Sequence, residues 1–328
     1  MKRGTLGAIL AALLVLGLLV GYDILTSRSI PTQSSVVLTS GTNTLSSIPV
    51  TVGDAPYGLA YDQAKNDTYV AVSGTSNIAE LDSNGSVVKY IGIGGGADFL
   101  AYDPADLYVY AALVGNDSVA VIDTISDTVV AHVSVPTSSG WMAYDPANKS
   151  VYSVNRESNT VYVLSGEAVV ANITLSGLPF AAAFDPVDGD MYLTSNVGEV
   201  FVVNGTSDGL LATVQVGGPS STLLGAAYDP ANGEVYVTSY SDNEVLVVNG
   251  TSSARAIQGF DQPVGIAFSA SGDRMFVVNS ALGRIEEVSS ASSTSLPVGT
   301  DPREVVALPS GLVVVTNYGE ATVSLVTL

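Results

Sequence analysis

A unit of about 41 residues recurs seven times along this chain, and no other feature restricts the fold as strongly. Its marker is a short run of Ala, an aromatic residue and Asp. It reads Ala60-Tyr61-Asp62, Ala101-Tyr102-Asp103-Pro104, Ala143-Tyr144-Asp145-Pro146, Ala183-Phe184-Asp185-Pro186 and Ala227-Tyr228-Asp229-Pro230. Two degenerate copies, Ala267-Phe268-Ser269 and Ala307-Leu308-Pro309, complete the series, with steps of 40 to 44 residues. That period matches four-stranded propeller blades.

Each copy reads as four strands, A to D. In the fifth, residues 225–228 form a short inner strand A. Asp229-Pro230-Ala231-Asn232-Gly233 is a turn, because Pro fixes φ after Asp and Gly takes positive φ. Glu234–Ser239 is strand B, 240–243 a polar loop and 244–248 strand C. Asn249-Gly250 makes a hairpin turn, and strand D lies near 254–258. No helical periodicity interrupts the pattern. Regular short strands leave a sandwich, a barrel or a propeller, and the constant period selects an all-β, seven-bladed β-propeller. The last copy stops after three strands, at 304–308, 312–317 and 322–327. An orphan strand at 45–52 resembles the D strand at 87–93, so it is expected to complete the seventh blade and leave no open ring edge. Residues 35–39 add a further strand or belong to the linker.

The repeats at 227–249 and 143–163 carry an Asp-Pro turn, a Tyr-Val strand, a polar loop and a Val-rich strand. They resemble the YVTN-type β-propeller repeats of archaeal and bacterial surface-layer and related extracellular proteins. Tyr236-Val237-Thr238-Ser239 and Val314-Val315-Thr316-Asn317 are near matches to the naming tetrapeptide. The resemblance extends over nearly everything after residue 44. It implies the propeller fold, while propellers as a class host lactonases, haem and quinoprotein enzymes and plain binding modules.

Ahead of the repeats, Lys2-Arg3 precedes an uncharged run at residues 4–22. Nineteen residues at about 1.5 Å each match one bilayer core, and the two leading positive charges favour a cytoplasmic N-terminus. No convincing small-x-small cleavage site follows. Residues 1–25 are therefore expected to be an uncleaved membrane anchor, ahead of a cleaved signal peptide. Lys2-Arg3-Gly4 is also similar to an archaeal pilin-type signal, although Thr5 suits that cut poorly. Residues 26–43 read as a Ser/Thr-rich linker, about 60 Å long at most when extended, and 44–328 as the propeller.

Composition removes several functions. With 31 acidic and 11 basic side chains and a net charge of −20, a nucleic-acid partner is disfavoured, because duplex affinity comes from cationic side chains. The chain has no Cys, which excludes disulfides, thiol catalysis and Cys-held metal centres. Its only His is His132, expected on an outer strand away from the central mouth. There is no nucleophile elbow and no phosphate loop, and Gly94-Gly95-Gly96 reads as a crossing between blades. No cofactor and no resident metal are expected. A Ca²⁺ site at Asp185, Asp188 and Asp190 ranks below a solvated turn. Asp62, Asp103, Asp145, Asp185 and Asp229 read as caps of their own A–B turns.

In a propeller the D–A and B–C loops share one face. There the sequence places Tyr57, Asp98, Phe99, Trp141, Phe180, Asp261, Asp301 and Arg303, with Asn116, Asn155, Arg156, Tyr240 and Tyr318. Aromatics with Asp, Asn and Arg around a mouth suit a glycan or protein ligand, and the candidate ligand residues are Tyr57, Asp98, Phe99, Trp141, Arg156, Phe180, Tyr240, Asp261 and Arg303. The alternative is that these aromatics plug the channel as core. Seven Asn-x-Ser/Thr sequons occur, at Asn66, Asn84, Asn116, Asn148, Asn172, Asn204 and Asn249, where composition alone gives about three. They read as glycosylation sites; Asn66, Asn84, Asn148, Asn204 and Asn249 fall on the A–B/C–D face. The expectation is a membrane-anchored, cell-surface, non-catalytic binding or structural module of the envelope. The rivals are a Ca-dependent, lactonase-like hydrolase built on Asp98, Asp261, Asp301 and Glu304, and a surface-array or filament subunit.

Overall fold

A computed structural model describes residues 36–38, 45–135, 139–289 and 293–327. Six four-stranded antiparallel sheets follow one another along the chain, each in sequential strand order, and a seventh combines the two ends. The first blade is Pro56–Asp62, Asp67–Val72, Asn77–Leu81 and Val87–Gly92. The fifth is Leu223–Asp229, Glu234–Ser239, Glu244–Asn249 and Ser252–Gln258, so its outer hairpin turns on Gly250-Thr251. The seventh blade takes Pro302–Ala307, Leu312–Asn317 and Thr322–Thr327 from the C-terminal end. Leu45–Thr51 then pairs antiparallel with Thr322–Thr327, supplying the missing outer strand, and Val36–Leu38 adds a fifth. The expected anchor at residues 1–25 and most of the expected linker at 26–43 lie outside the described residues. Among the described residues, no helix is long and apolar enough to cross a membrane.

The core is divided among the blade interfaces. Among the described residues, seven apolar clusters each join one blade to the next. The cluster holding Val70, Leu81, Leu308, Val314 and Leu325 joins the seventh blade to the first and so closes the ring. Burial on both sheet faces explains the Val-rich second and third strands, which have no polar side to present. The outer strands face water and alternate, as in Thr128–Ser134. A buried aromatic stands third in the second strand of six blades: Tyr69, Tyr110, Tyr152, Tyr192, Tyr236 and Phe276. Its phenol can reach the next blade's outer turn. Tyr110 donates to the carbonyl of Gly166 at 2.8 Å, and Tyr152 donates to Asp208.

The A–B turns close as the Asp-Pro pattern requires. Asp62, Asp103, Asp145, Asp185 and Asp229 each accept the amide two residues on, at 2.7 to 2.8 Å. The seventh copy needs a correction. Val306 pairs with Val314 as Ala60 pairs with Tyr69, so the repeat marker sits one residue before Ala307. Without the Asp-Pro turn, the sequence carried no anchor for that register.

Candidate functional site

Each of the seven inner strands breaks register within its first few residues, at Pro56/Leu59, Ala97/Phe99, Ser139/Met142, Pro179/Ala182, Leu223/Ala226, Pro263/Ile266 and Pro302/Val305. A bulge bends its strand and re-aims the side chains beside it. Here it brings the side chains at the D–A end of the strands together around the channel. Glycine at this bulge allows neighbouring inner strands to meet. A Cβ on Gly225 would stand 2.3 Å from the carbonyl oxygen of Val264.

The aromatics plug the channel. Tyr57, Phe99, Trp141, Arg156 and Phe180 surround one void of about 20 Å³, together with Leu224 and Val264. That volume holds about one water. The rings are in direct contact: Tyr57 meets Phe99 edge-on at 4.9 Å, and Phe99 meets Trp141 at 5.1 Å. Two guanidiniums cover them. Arg156 lies 5.4 Å from the Phe99 ring centre, and Arg303 lies 5.7 Å from Tyr57 and 5.2 Å from Tyr318. Arg303 also binds Asp301 at 2.7 Å, which fixes its fork over both phenols. Burial pushes the Tyr57 phenol above its ordinary value, against the pull of Arg156 and Arg303. What results is a half-buried aromatic and cationic floor.

The other sequence candidates do not line that void. Asp98 is held by the Ser73 hydroxyl at 2.6 Å. Tyr240 donates to Gln262 at 3.1 Å, and Asp261 borders it in the loop before the sixth blade. Asp301 is engaged by Ser280 and Arg303. Burial drives the Glu304 carboxyl well above the usual carboxylate range. Asp98, Asp261, Asp301 and Glu304 therefore do not share a ligand point, and no group of three or more His, Asp or Glu among the described residues could hold a metal ion. His132 lies on the second blade's outer strand, 3.0 Å from the carbonyl oxygen of Ile93. Leu224 and Val264 escaped sequence reasoning because an aliphatic residue has no chemical signature; their alignment with Tyr57 in the repeat was the available signal.

The sequons divide into two sets. Asn66, Asn84, Asn116, Asn172 and Asn249 are exposed. Asn148 is half-buried and donates through Nδ2 to Asp208 and Tyr152, and Asn204 donates through Nδ2 to Asp190.

The larger opening is at the other end of the channel. A cavity of about 350 Å³ is lined by the inner strands of the first three blades, including Tyr61, Tyr102 and Tyr144.

No family model matches the chain, and no curated protein matches it. Solved structures do. Hydrazine synthase of Kuenenia stuttgartiensis aligns at 16% identity and a TM-score of 0.75, over 84% of this chain and 96% of that one. A streptogramin B lyase aligns at 12% identity and 0.75, over 87% and 97%. A catalytically inactive histidine-to-alanine variant of virginiamycin B lyase from Staphylococcus aureus, with quinupristin, aligns at 12% and 0.76, over 87% and 99%. At these identities the likeness establishes the propeller fold.

Proposed function

We propose that the chain is a non-catalytic binding module of the cell surface, held by its N-terminal apolar run and recognising a saccharide or peptide across the plugged D–A/B–C mouth. The observation that carries this reading is the closed aromatic cluster. Five of the nine sequence candidates meet around a void too small for a substrate, so the mouth offers a surface instead of a pocket. Tyr, Trp and Arg are the side chains that dominate recognition on such surfaces. Stacked rings suit a sugar face or a peptide side chain, and Arg156 and Arg303 supply fixed donors around them.

A lyase reading gains support only from the fold. One similar lyase is catalytically inactive as a histidine-to-alanine variant, whereas the single histidine here is His132 on an outer strand. Glycosylation at exposed sequons on the A–B/C–D face would leave the aromatic face free for a partner. The negative charge keeps the module soluble and repels acidic polymers.

A glycan and peptide array probed with the full chain tests the reading. Binding that is lost in Trp141→Ala and kept in Asn84→Gln supports it. Binding that survives Trp141→Ala overturns it. Surface biotinylation of intact cells checks location, and a propeller protected from the reagent would contradict it.

A further inference from the structure

We propose that the opposite end of the channel is a second site, which binds a small organic cation carrying apolar substituents, a substituted ammonium, among Tyr61, Tyr102 and Tyr144. The inference stands apart from the proposed recognition at the plugged mouth. At about 350 Å³ this solvent-open recess has room for a small molecule. Leu59, Leu100 and Met142 supply apolar wall, and the three phenols supply electron-rich rings.

Charge at this end is one-sided. Each phenol is followed in sequence by a buried carboxylate: Asp62, Asp103 and Asp145 are all fully or almost fully buried. One oxygen of each caps its turn. The second oxygen of each is buried, and the phenol of the next blade stands beside it in two cases, Tyr102 beside Asp62 and Tyr144 beside Asp103. After burial itself, Asp62 is what raises the Tyr102 phenol, and Asp103 and Asp145 act the same way on Tyr144. These phenols therefore sit in a negative field from carboxylates of their own and the preceding blade. The nearby lysines leave it largely uncompensated. Lys65 is drawn away to Glu80 and Asp127, and Lys149 is an exposed side chain acting on Asp103 from a distance. A cation beside aromatic rings with buried carboxylates behind them gains from both, and methyl substituents lower its cost of leaving water. Tyrosine returns at this position in the fifth blade as Tyr228, while the fourth and sixth carry Phe184 and Phe268 and the seventh Ala307, so only the first three blades set tyrosines side by side. The cavity lies over those same three blades.

Choline and its uncharged isostere 3,3-dimethylbutan-1-ol separate charge recognition from simple apolar filling. The full chain, produced without N-glycosylation, is titrated with each by calorimetry. Saturable one-to-one choline binding, with the alcohol weaker by about tenfold or more, is expected. Tyr102→Leu and Tyr144→Leu should each weaken choline by about fivefold or more, and Asn84→Gln should leave it unchanged. Equal affinities for the two probes, no saturable binding of choline, or indifference to both Leu variants would overturn the proposal. Where a Leu variant does not fold, saturation-transfer NMR on the unsubstituted chain decides. Transfer from tyrosine ring protons to the trimethylammonium group supports the site, and its absence overturns it.

Discussion

The hydroxyl of Thr316, in the last blade, donates to the backbone carbonyl of Tyr57, in the first, at 2.7 Å. The same oxygen accepts the amide of Glu304 at 3.0 Å. One side chain thus satisfies the bulge of its own inner strand and links it to the next blade. Thr238 repeats the device inside the ring, accepting from Gly225 at 2.7 Å and donating to Val264 at 2.8 Å. Removing the hydroxyl leaves a buried amide and a buried carbonyl without their partner. Thr316→Val should cost about 1–3 kcal/mol, seen as a lower urea midpoint, and Thr316→Ser should recover most of it. A Val variant as stable as the parent would mean that the seam does not depend on this bond.

The outer half of the seam is the pairing of Leu45–Thr51 with Thr322–Thr327. Deleting residues 45–51 bares the edge of the C-terminal strand and uncovers part of the cluster around Leu325. The expected result is a clearly lower Tm with a broadened transition, because an unsealed ring loses cooperativity at its ends. An unchanged melting curve would contradict closure by this strand.

Accessibility sorts the sequons. Glycan attachment uses the Asn side-chain nitrogen, and that atom is committed to Asp208 and Tyr152 at Asn148 and to Asp190 at Asn204. In a glycosylating host, mass spectrometry should find sugar at Asn66, Asn84, Asn172 or Asn249 in preference to these two, with Asn116, exposed but with its Nδ2 3.4 Å from the carbonyl oxygen of Gly94, between the sets. Full occupancy at Asn148 would refute the sorting.

Stability should rise as pH falls from neutral toward about 5. Burial pushes Asp145 up to about 6 and, with Glu80 beside it, Asp67 up to about 6. Burial likewise raises Glu304, Asp103, Asp190 and Asp229. A carboxyl whose folded pKa exceeds its unfolded value near 4 binds a proton more tightly when folded, so its ionisation costs stability between about pH 4 and 6. Asp127, held low by Lys65 and Lys89 despite its burial, works in reverse and loses its contribution below about pH 4. Acid also relieves the self-repulsion of 20 net negative charges. Tm at pH 5.5 should exceed Tm at pH 7.5, and Asp145→Asn should narrow the gap while its amide oxygen still caps the turn. A Tm that climbs with pH across this range would contradict the assignment.

Much of the architecture could be read from residues alone, because the 41-residue period and the Asp-Pro turns are local chemistry repeated at fixed spacing. The Asp62-type caps and the sealing strand at Leu45–Thr51 followed from that regularity. The register of the seventh blade did not, since Leu308 stands where the first five blades carry Asp. The candidate site was half legible. Tyr57, Phe99, Trp141, Arg156 and Phe180 were placed on one mouth by loop position. Whether they formed a hollow or a plug depended on bulges that have no sequence marker in this chain. The vestibule at the other end was hidden in the repeat itself: Tyr61, Tyr102 and Tyr144 read as structural punctuation until the strands set them around one cavity.

Trp141 is the only tryptophan in the chain, and it stands in the mouth, against Phe99. Its fluorescence therefore reports on the proposed surface without a label. Titration with array-selected saccharides or peptides should give a saturable intensity change or spectral shift, and Arg156→Ala should raise the midpoint by about tenfold. A ligand that binds the full chain tightly yet leaves the Trp141 signal unmoved, in both the parent and the Arg156 variant, would place recognition elsewhere and contradict the central claim.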